Sequence, residues 1–278
     1  MTFIITLIAL VIERFFHWSH LRYWRWFGTY QQWLSHSRIA RLPAGVLLAL
    51  CLLPLVLLTG LLNYFLAGWF YGSLKLIFGV VVLLYCLGPA NIWVQAWCSI
   101  NQLQKDEDPN LIASTAQTEF AFHSAGNAQQ FHQAFVRAIF IAANERVFSV
   151  VFWFILLGPV GAVLYRSIAL MAAGSPLGLT QMARTVQQWL DWLPVRLLTF
   201  IFALGGHFVR VFACWKRMVL TGPEMNDVLL TDCGLAALDV MENGMMPEAG
   251  SAERETIVLL DRVFVMALVA LALIVLIL

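Results

Sequence analysis

Asn144-Glu-Arg-Val-Phe-Ser-Val-Val-Phe-Trp-Phe-Ile-Leu-Leu-Gly-Pro-Val-Gly-Ala-Val-Leu-Tyr-Arg166 is the stretch that decides how this chain is read. A charged triplet opens an apolar run, a Gly-Pro-x-Gly step interrupts it, and an arginine closes it. The run from Phe148 to Met171 is long enough to cross a bilayer, which takes about 20 apolar residues rising ~1.5 Å each. Acids favour a helix N-terminus, where exposed N–H groups carry partial positive charge. Asn144-Glu145 therefore reads as an end cap as readily as it reads as the mouth of a site.

The rest of the sequence leans the same way. The chain has 278 residues, 61% hydrophobic and 12% charged, whereas a soluble domain is about a quarter charged. Its mean hydropathy is +0.79, which assigns it to the membrane class. A net charge of only +1 offers no bulk electrostatic footprint for nucleic acid. Cys51, Cys86, Cys98, Cys214 and Cys233 are scattered, with no Cys-x-x-Cys pair and no zinc-type spacing. The first apolar run has no basic residue ahead of it and no small-x-small site before Glu13, so it reads as a retained segment.

Four runs have the length of a span or nearly so: Leu42–Leu62, Gly68–Gly88, Phe148–Met171 and Val263–Leu278. Two are marginal. Thr2–Ile12 needs Phe15, Phe16 and Trp18 to complete it, and Val195–Cys214 contains Arg196, His207 and Arg210. Charge chooses between four spans and six. With six, twelve of the 17 basic residues fall on the cytoplasmic side, and the positive-inside bias favours that arrangement. The expectation is an all-α, polytopic membrane protein: one integral membrane domain over 1–278, about six membrane-embedded helices, and helical cytoplasmic loops. In this scheme 172–194 lies on the outer face.

Three cytoplasmic segments follow. In 13–41, Trp26, Phe27, Tyr30, Trp33 and Leu34 share one helical face and Arg22, Arg25, Thr29, Gln32 and His36 the other. That pattern suits a helix lying in the membrane interface, and equally a helix packed on its own protein. In 92–147 the Asp106-Glu-Asp-Pro-Asn110 break restarts a helix, with Asp108 as cap and Pro109 in the first turn. The third segment, 215–262, is acidic between Glu224 and Glu255, a charge opposite to that of the first.

No Gly-x4-Gly-Lys-Ser/Thr, Gly-x-Gly-x-x-Gly, Gly-x-Ser-x-Gly or His-Glu-x-x-His motif occurs. His17 and His20 stand one turn apart with no acid or cysteine nearby to complete a metal site, and Gly68-Trp-Phe-Tyr-Gly72 is a weak match to a close-approach helix motif. Intramembrane charge stands out instead, because it costs at least a few kcal/mol per residue and usually has a partner or a role. Lys75, Arg166 and Arg196 fall in the outer halves of their spans, with Asp191 the acid on that side. They read as an outward cationic pocket for an anionic small molecule or lipid phosphate, or as side chains snorkelling to head groups. On the inner face Asn144, Glu145 and Arg146 could meet Glu13 and Arg14, a second candidate ligand-binding set of carboxylates and guanidiniums. No catalytic or metal-binding set is read, and no cofactor is specified.

Glu13-Arg-Phe-Phe16, the Phe152-Trp-x-Ile-x-x-Gly-Pro159 region and Asp191-Trp-Leu-Pro-Val-Arg-Leu197 resemble the AmpE family of bacterial inner-membrane proteins over nearly the whole length. The resemblance implies a sensor or signal transducer linked to β-lactamase induction. Implied partners are the lipid bilayer, a muropeptide or other anionic small molecule, and a cytoplasmic amidase or regulatory protein. That family in turn is similar to the CobD/CbiB cobinamide-phosphate synthases, whose apolar segment ends Pro-Pro-Gly-Ala-Leu-Ala-Tyr-Lys. Setting Pro159-Val-Gly-Ala-Val-Leu-Tyr-Arg166 on that ending puts the enzymes' polar positions on Ile141, Ala142, Glu145, Ala169 and Ala172. Only Glu145 keeps an acidic group; apolar side chains can neither move a proton nor hold Mg²⁺. The implied function is ligand or partner binding. The alternatives are a CobD/CbiB-like ligase forming an amide bond and a muropeptide or lipid transporter.

Overall fold

The computed structural model describes residues 2–15, 24–37, 42–66, 73–87, 92–103, 120, 128–238 and 251–277. Among them every regular element is helical. His17, His20, the Gly68–Gly72 motif, the Asp106–Asn110 break and the side chains of Glu13 and Arg14 lie outside the described residues. The helices are α1 (Thr2–Phe15), α2 (Arg25–Ser35), α3 (Ala44–Leu66), α4 (Ser73–Cys86), α5 (Ile92–Leu103), α6 (Ala128–Ala143), α7 (Ser149–Leu157), α8 (Pro159–Ala173), α9 (Thr180–Gly205), α10 (Phe208–Met218), α11 (Asn226–Ala237) and α12 (Ser251–Ile277). They form two compact units, one of residues 1–89 and 146–191, the other of 90–145 and 192–278.

Two helices among the described residues are long and apolar enough to cross a membrane: Ala44–Leu66 and Gln130–Leu157. The second corrects the sequence reading. Phe148–Met171 is not one helix, and residues 130–147, expected in a cytoplasmic segment, form the first part of the apolar one. A π-helical turn, Asn144–Phe148, joins α6 to α7, so one extra residue per turn is accommodated at the Asn-Glu-Arg triplet. The apolar run then breaks at Gly158, whose φ of +68° a residue with a Cβ adopts only at a cost. Pro159 follows as the first residue of α8, where its missing N–H costs nothing. A Cβ on Gly161 would collide with the Trp153 carbonyl oxygen, so only glycine lets α8 start so close to α7.

The first unit is built around this break. α8 lies along α3, with Val160 near Gly60 at one end and Ile168, Met171 and Ala172 packed with Leu47, Leu48 and Cys51 at the other. The two helices are therefore antiparallel. Phe27 and Leu34 of α2, with Leu179 and Ala183, complete that core cluster. Gln31 is buried, and Ser175 Oγ donates to its side-chain oxygen at 2.9 Å. Trp26 and Trp33 of α2 stay exposed, while Trp24 stacks on Tyr85 and Trp26 donates to the Tyr85 hydroxyl at 2.6 Å. So α2 packs on its own protein. Segments expected on opposite membrane faces, 13–41 and 172–194, touch through Ser175 and Gln31, because the break at Gly158 lets α8 run back where a continuous span would have crossed.

In the second unit Val195–Cys214 is likewise not one span. α9 ends at Gly205, His207 is extended, and α10 begins at Phe208. Gly206 makes the corner: a Cβ there would stand 2.6 Å from the Ala237 carbonyl oxygen. Phe140 of α6 packs on Phe202 of α9 and against Gly234 of α11, and Trp93 of α5 meets Phe264 of α12 edge-on. His132 of α6 and Glu253 of α12, one 14% and the other 1% exposed, pair at 2.5 Å.

Candidate functional site

One group of buried polar side chains comes from α7, α8 and the first half of α9. Arg166, Gln187 and Asp191 are each only 7% exposed, and Ser149 and Tyr165 are fully covered. Asp191 is the hub: its Oδ1 accepts from Ser149 Oγ at 2.5 Å and from Tyr165 Oη at 2.8 Å. Gln187 precedes Asp191 by four residues and so shares its helical face. The hairpin explains the meeting. α7 runs away from Ser149 to Gly158, and α8 returns far enough by Tyr165 to reach the same level. A buried carboxylate without donors would be expensive, and two hydroxyls at these distances compensate much of that cost.

Arg166 is buried on α8, whereas Lys75 lies in the first turn of α4 and is exposed. The two cations that the sequence places in outer half-spans thus differ in their access to solvent or lipid.

Arg196 has a different task. Its Nε donates to the Val219 carbonyl at 2.8 Å, Nη2 to that of Thr221 at 2.7 Å, and Nη1 to Asn226 Oδ1 at 2.8 Å and to the Trp192 carbonyl at 2.7 Å. The guanidinium also lies over the Trp192 ring, 4.2 Å from its centroid. A cation bonding the carbonyls that follow α10 satisfies groups a helix end leaves open and suits its negative end. These bonds hold the chain from α10 into α11.

Asn144 is buried, and Glu145 and Arg146 are half-buried, in the π turn. Ser149, Tyr165 and the His132–Glu253 pair were not candidates from sequence. Tyr165 looked like one more aromatic in an apolar run, and 121 residues separate His132 from Glu253, beyond any local spacing rule. The i, i+4 spacing of Gln187 and Asp191 was the one available hint.

The family model described as "Regulatory signalling modulator protein AmpE" matches residues 1–277. The chain belongs to the AmpE family. Two curated relatives of this AmpE member are named cobalamin biosynthesis protein CobD. The one from Chromobacterium violaceum is 29% identical over 118 residues, covering 40% of this chain and 38% of the relative. The one from Stutzerimonas stutzeri is 26% identical over 220 residues, covering 76% of this chain and 68% of the relative. The first match thus spans well under half of the relative's length. No solved structure matches this AmpE chain.

Proposed function

We propose that this AmpE-family chain is a multi-pass protein of the bacterial inner membrane that links cell-wall (muropeptide) status to β-lactamase induction by binding a ligand or partner. The membrane reading keeps about six membrane-embedded helices, with Gln130–Leu157 taking the place of Phe148–Met171. The exposed row Leu53, Leu57, Leu61 and Phe65 on α3 supports it, since four large apolar residues at i+4 spacing suit contact with acyl chains. The observation that carries the functional half is the Asp191 hub, where Tyr165 and Asp191 are hydrogen-bonded and buried. Ionisable groups held inside a membrane protein mark functional positions by default. A sensor must bind its ligand unequally in two conformations, and the hub is the element whose hydrogen bonding would differ between them.

A chromosomal β-lactamase reporter tests this. Asp191→Asn should change the induction by a β-lactam at unchanged membrane abundance of the protein. An induction curve identical to that of the unaltered chain would sink the reading.

A second reading, amide-bond formation of the CobD/CbiB type, is favoured by the names of the two relatives. Against it, Ala142 and Ala172 are buried in apolar packing where those enzymes would place polar groups. Purified protein given ATP, Mg²⁺ and a cobyric-acid-type substrate should form no product; product would reverse the order of the two readings.

A further inference from the structure

The corner between α9 and α10 opens on a cavity of about 500 Å³ within the second unit, a size suited to a small ligand. Gly206 and His207 form one side of it, and Arg254, Glu255, Val258 and Arg262 of α12 another. Arg254, Val258 and Arg262 are spaced by four, so they rise along one side of the helix. All three charged residues are exposed, two guanidiniums against one carboxylate. Arg254 is held in place by the Trp97 ring, 5.2 Å from guanidinium carbon to centroid. About 12 Å of helix separates Arg254 from Arg262, a gap two arginine side chains can close around one anion.

Immediately beyond Arg262 the helix loses every charge. Val263–Ile277 is apolar, and Val265, Val269 and Leu273 are exposed on it. The cavity therefore lies at the polar end of a helix whose remainder suits acyl chains. Guanidinium forks match phosphate oxygens in shape as well as charge, and Glu255 leaves an anionic spot beside them.

We propose that this cavity binds a phosphate ester whose head also carries an ammonium group, Arg254 and Arg262 taking the phosphate and Glu255 the ammonium. Such a head occurs on a membrane phospholipid and on its soluble deacylated form. The assignment stands on the cavity alone and does not depend on the regulatory reading.

The test uses the full chain in a phosphate-free maltoside detergent, with binding measured calorimetrically for glycerophosphoethanolamine and by native mass spectrometry for phosphatidylethanolamine. Saturable one-site binding of the soluble probe assigns the head group alone as ligand; binding of phosphatidylethanolamine alone assigns the lipid. Arg262→Gln should weaken the bound probe about tenfold or more, as expected for a lost charge-assisted bond. Glu255→Gln should weaken glycerophosphoethanolamine but not glycerophosphate. Arg254 also stacks on Trp97, so the exposed Arg262 carries the decisive variant, and Arg217→Gln on α10 is the control. The proposal falls if neither phosphate probe saturates, if Arg262→Gln binds as the unaltered chain does, or if uncharged diacylglycerol binds equally well.

Discussion

Tyr165 donates a 2.8 Å hydrogen bond to Asp191, joining α8 to α9 across 26 residues of sequence. The bond exists because the chain reverses at Gly158, and Ser149 reaches the same carboxylate from the other arm of the reversal. Three stretches that look unrelated on paper thus close one buried node.

Tyr165→Phe keeps the ring and removes one donor from a buried carboxylate. It should cost about 1.5–3 kcal/mol of stability, the range for hydrogen bonds to charged groups. Combined with Asp191→Asn, the double variant should lose clearly less than the sum of the singles, because the residues act as one unit. Thermal unfolding in detergent measures both; strict additivity would separate the two residues energetically.

Glycine at the reversal is required by shape. Gly158→Ala forces a side chain to a φ of +68° with a ψ of −153°, a region essentially reserved to glycine, and should cost about 1–3 kcal/mol. Gly161→Ala sets a Cβ against the Trp153 carbonyl and should cost about 1–3 kcal/mol or more through overpacking. The fraction of monodisperse protein after purification should fall for both, further for Gly161→Ala. Unchanged yield and melting temperature for Gly161→Ala would mean the hairpin is not this tight.

Arg196→Lys is not conservative here. A lysine offers a point charge where the guanidinium spreads its N–H groups over Val219, Thr221, Trp192 and Asn226. Loss of about 2–3 kcal/mol is expected, with faster amide exchange in residues 219–226. Exchange rates equal to those of the unaltered chain would remove Arg196 from its role as the clamp of that turn.

Thiol reactivity should rank the cysteines. Cys98 is exposed, whereas Cys51, Cys86 and Cys233 are buried. Burial, and next the neighbouring Cys214, push the Cys233 thiol well above its usual range. The thiolate is the reacting form, so a raised pKa lowers reactivity and moving from pH 7 to pH 8 should not expose Cys233 to a maleimide. Peptide mass spectrometry after brief labelling should find Cys98 modified first. Equal labelling of Cys98 and Cys233 would contradict the packing of α11.

Local composition made the helices legible. Leu42–Leu62 corresponds to α3, Gly68–Gly88 contains α4, and Thr2–Ile12 lies within α1. The two apolar runs that failed as single spans, Phe148–Met171 and Val195–Cys214, both hold glycines whose effect depends on what lies opposite them. Hydropathy sums along the chain and cannot see that the Trp153 carbonyl or Ala237 stands in the way. The polar candidates show the same limit. Arg166, Asp191 and Arg196 stood out because charge in an apolar run is conspicuous. Ser149 and Tyr165, neutral and common in such runs, did not.

By itself, the sequence determined that this polypeptide is helical and apolar enough to enter a bilayer, because side-chain transfer free energies and helix periodicity are local properties. Only the tertiary structure decided where the backbone reverses and which charges share a partner. A hydrogen bond such as Ser175 to Gln31 depends on distances between residues 144 positions apart, and those distances are set by packing.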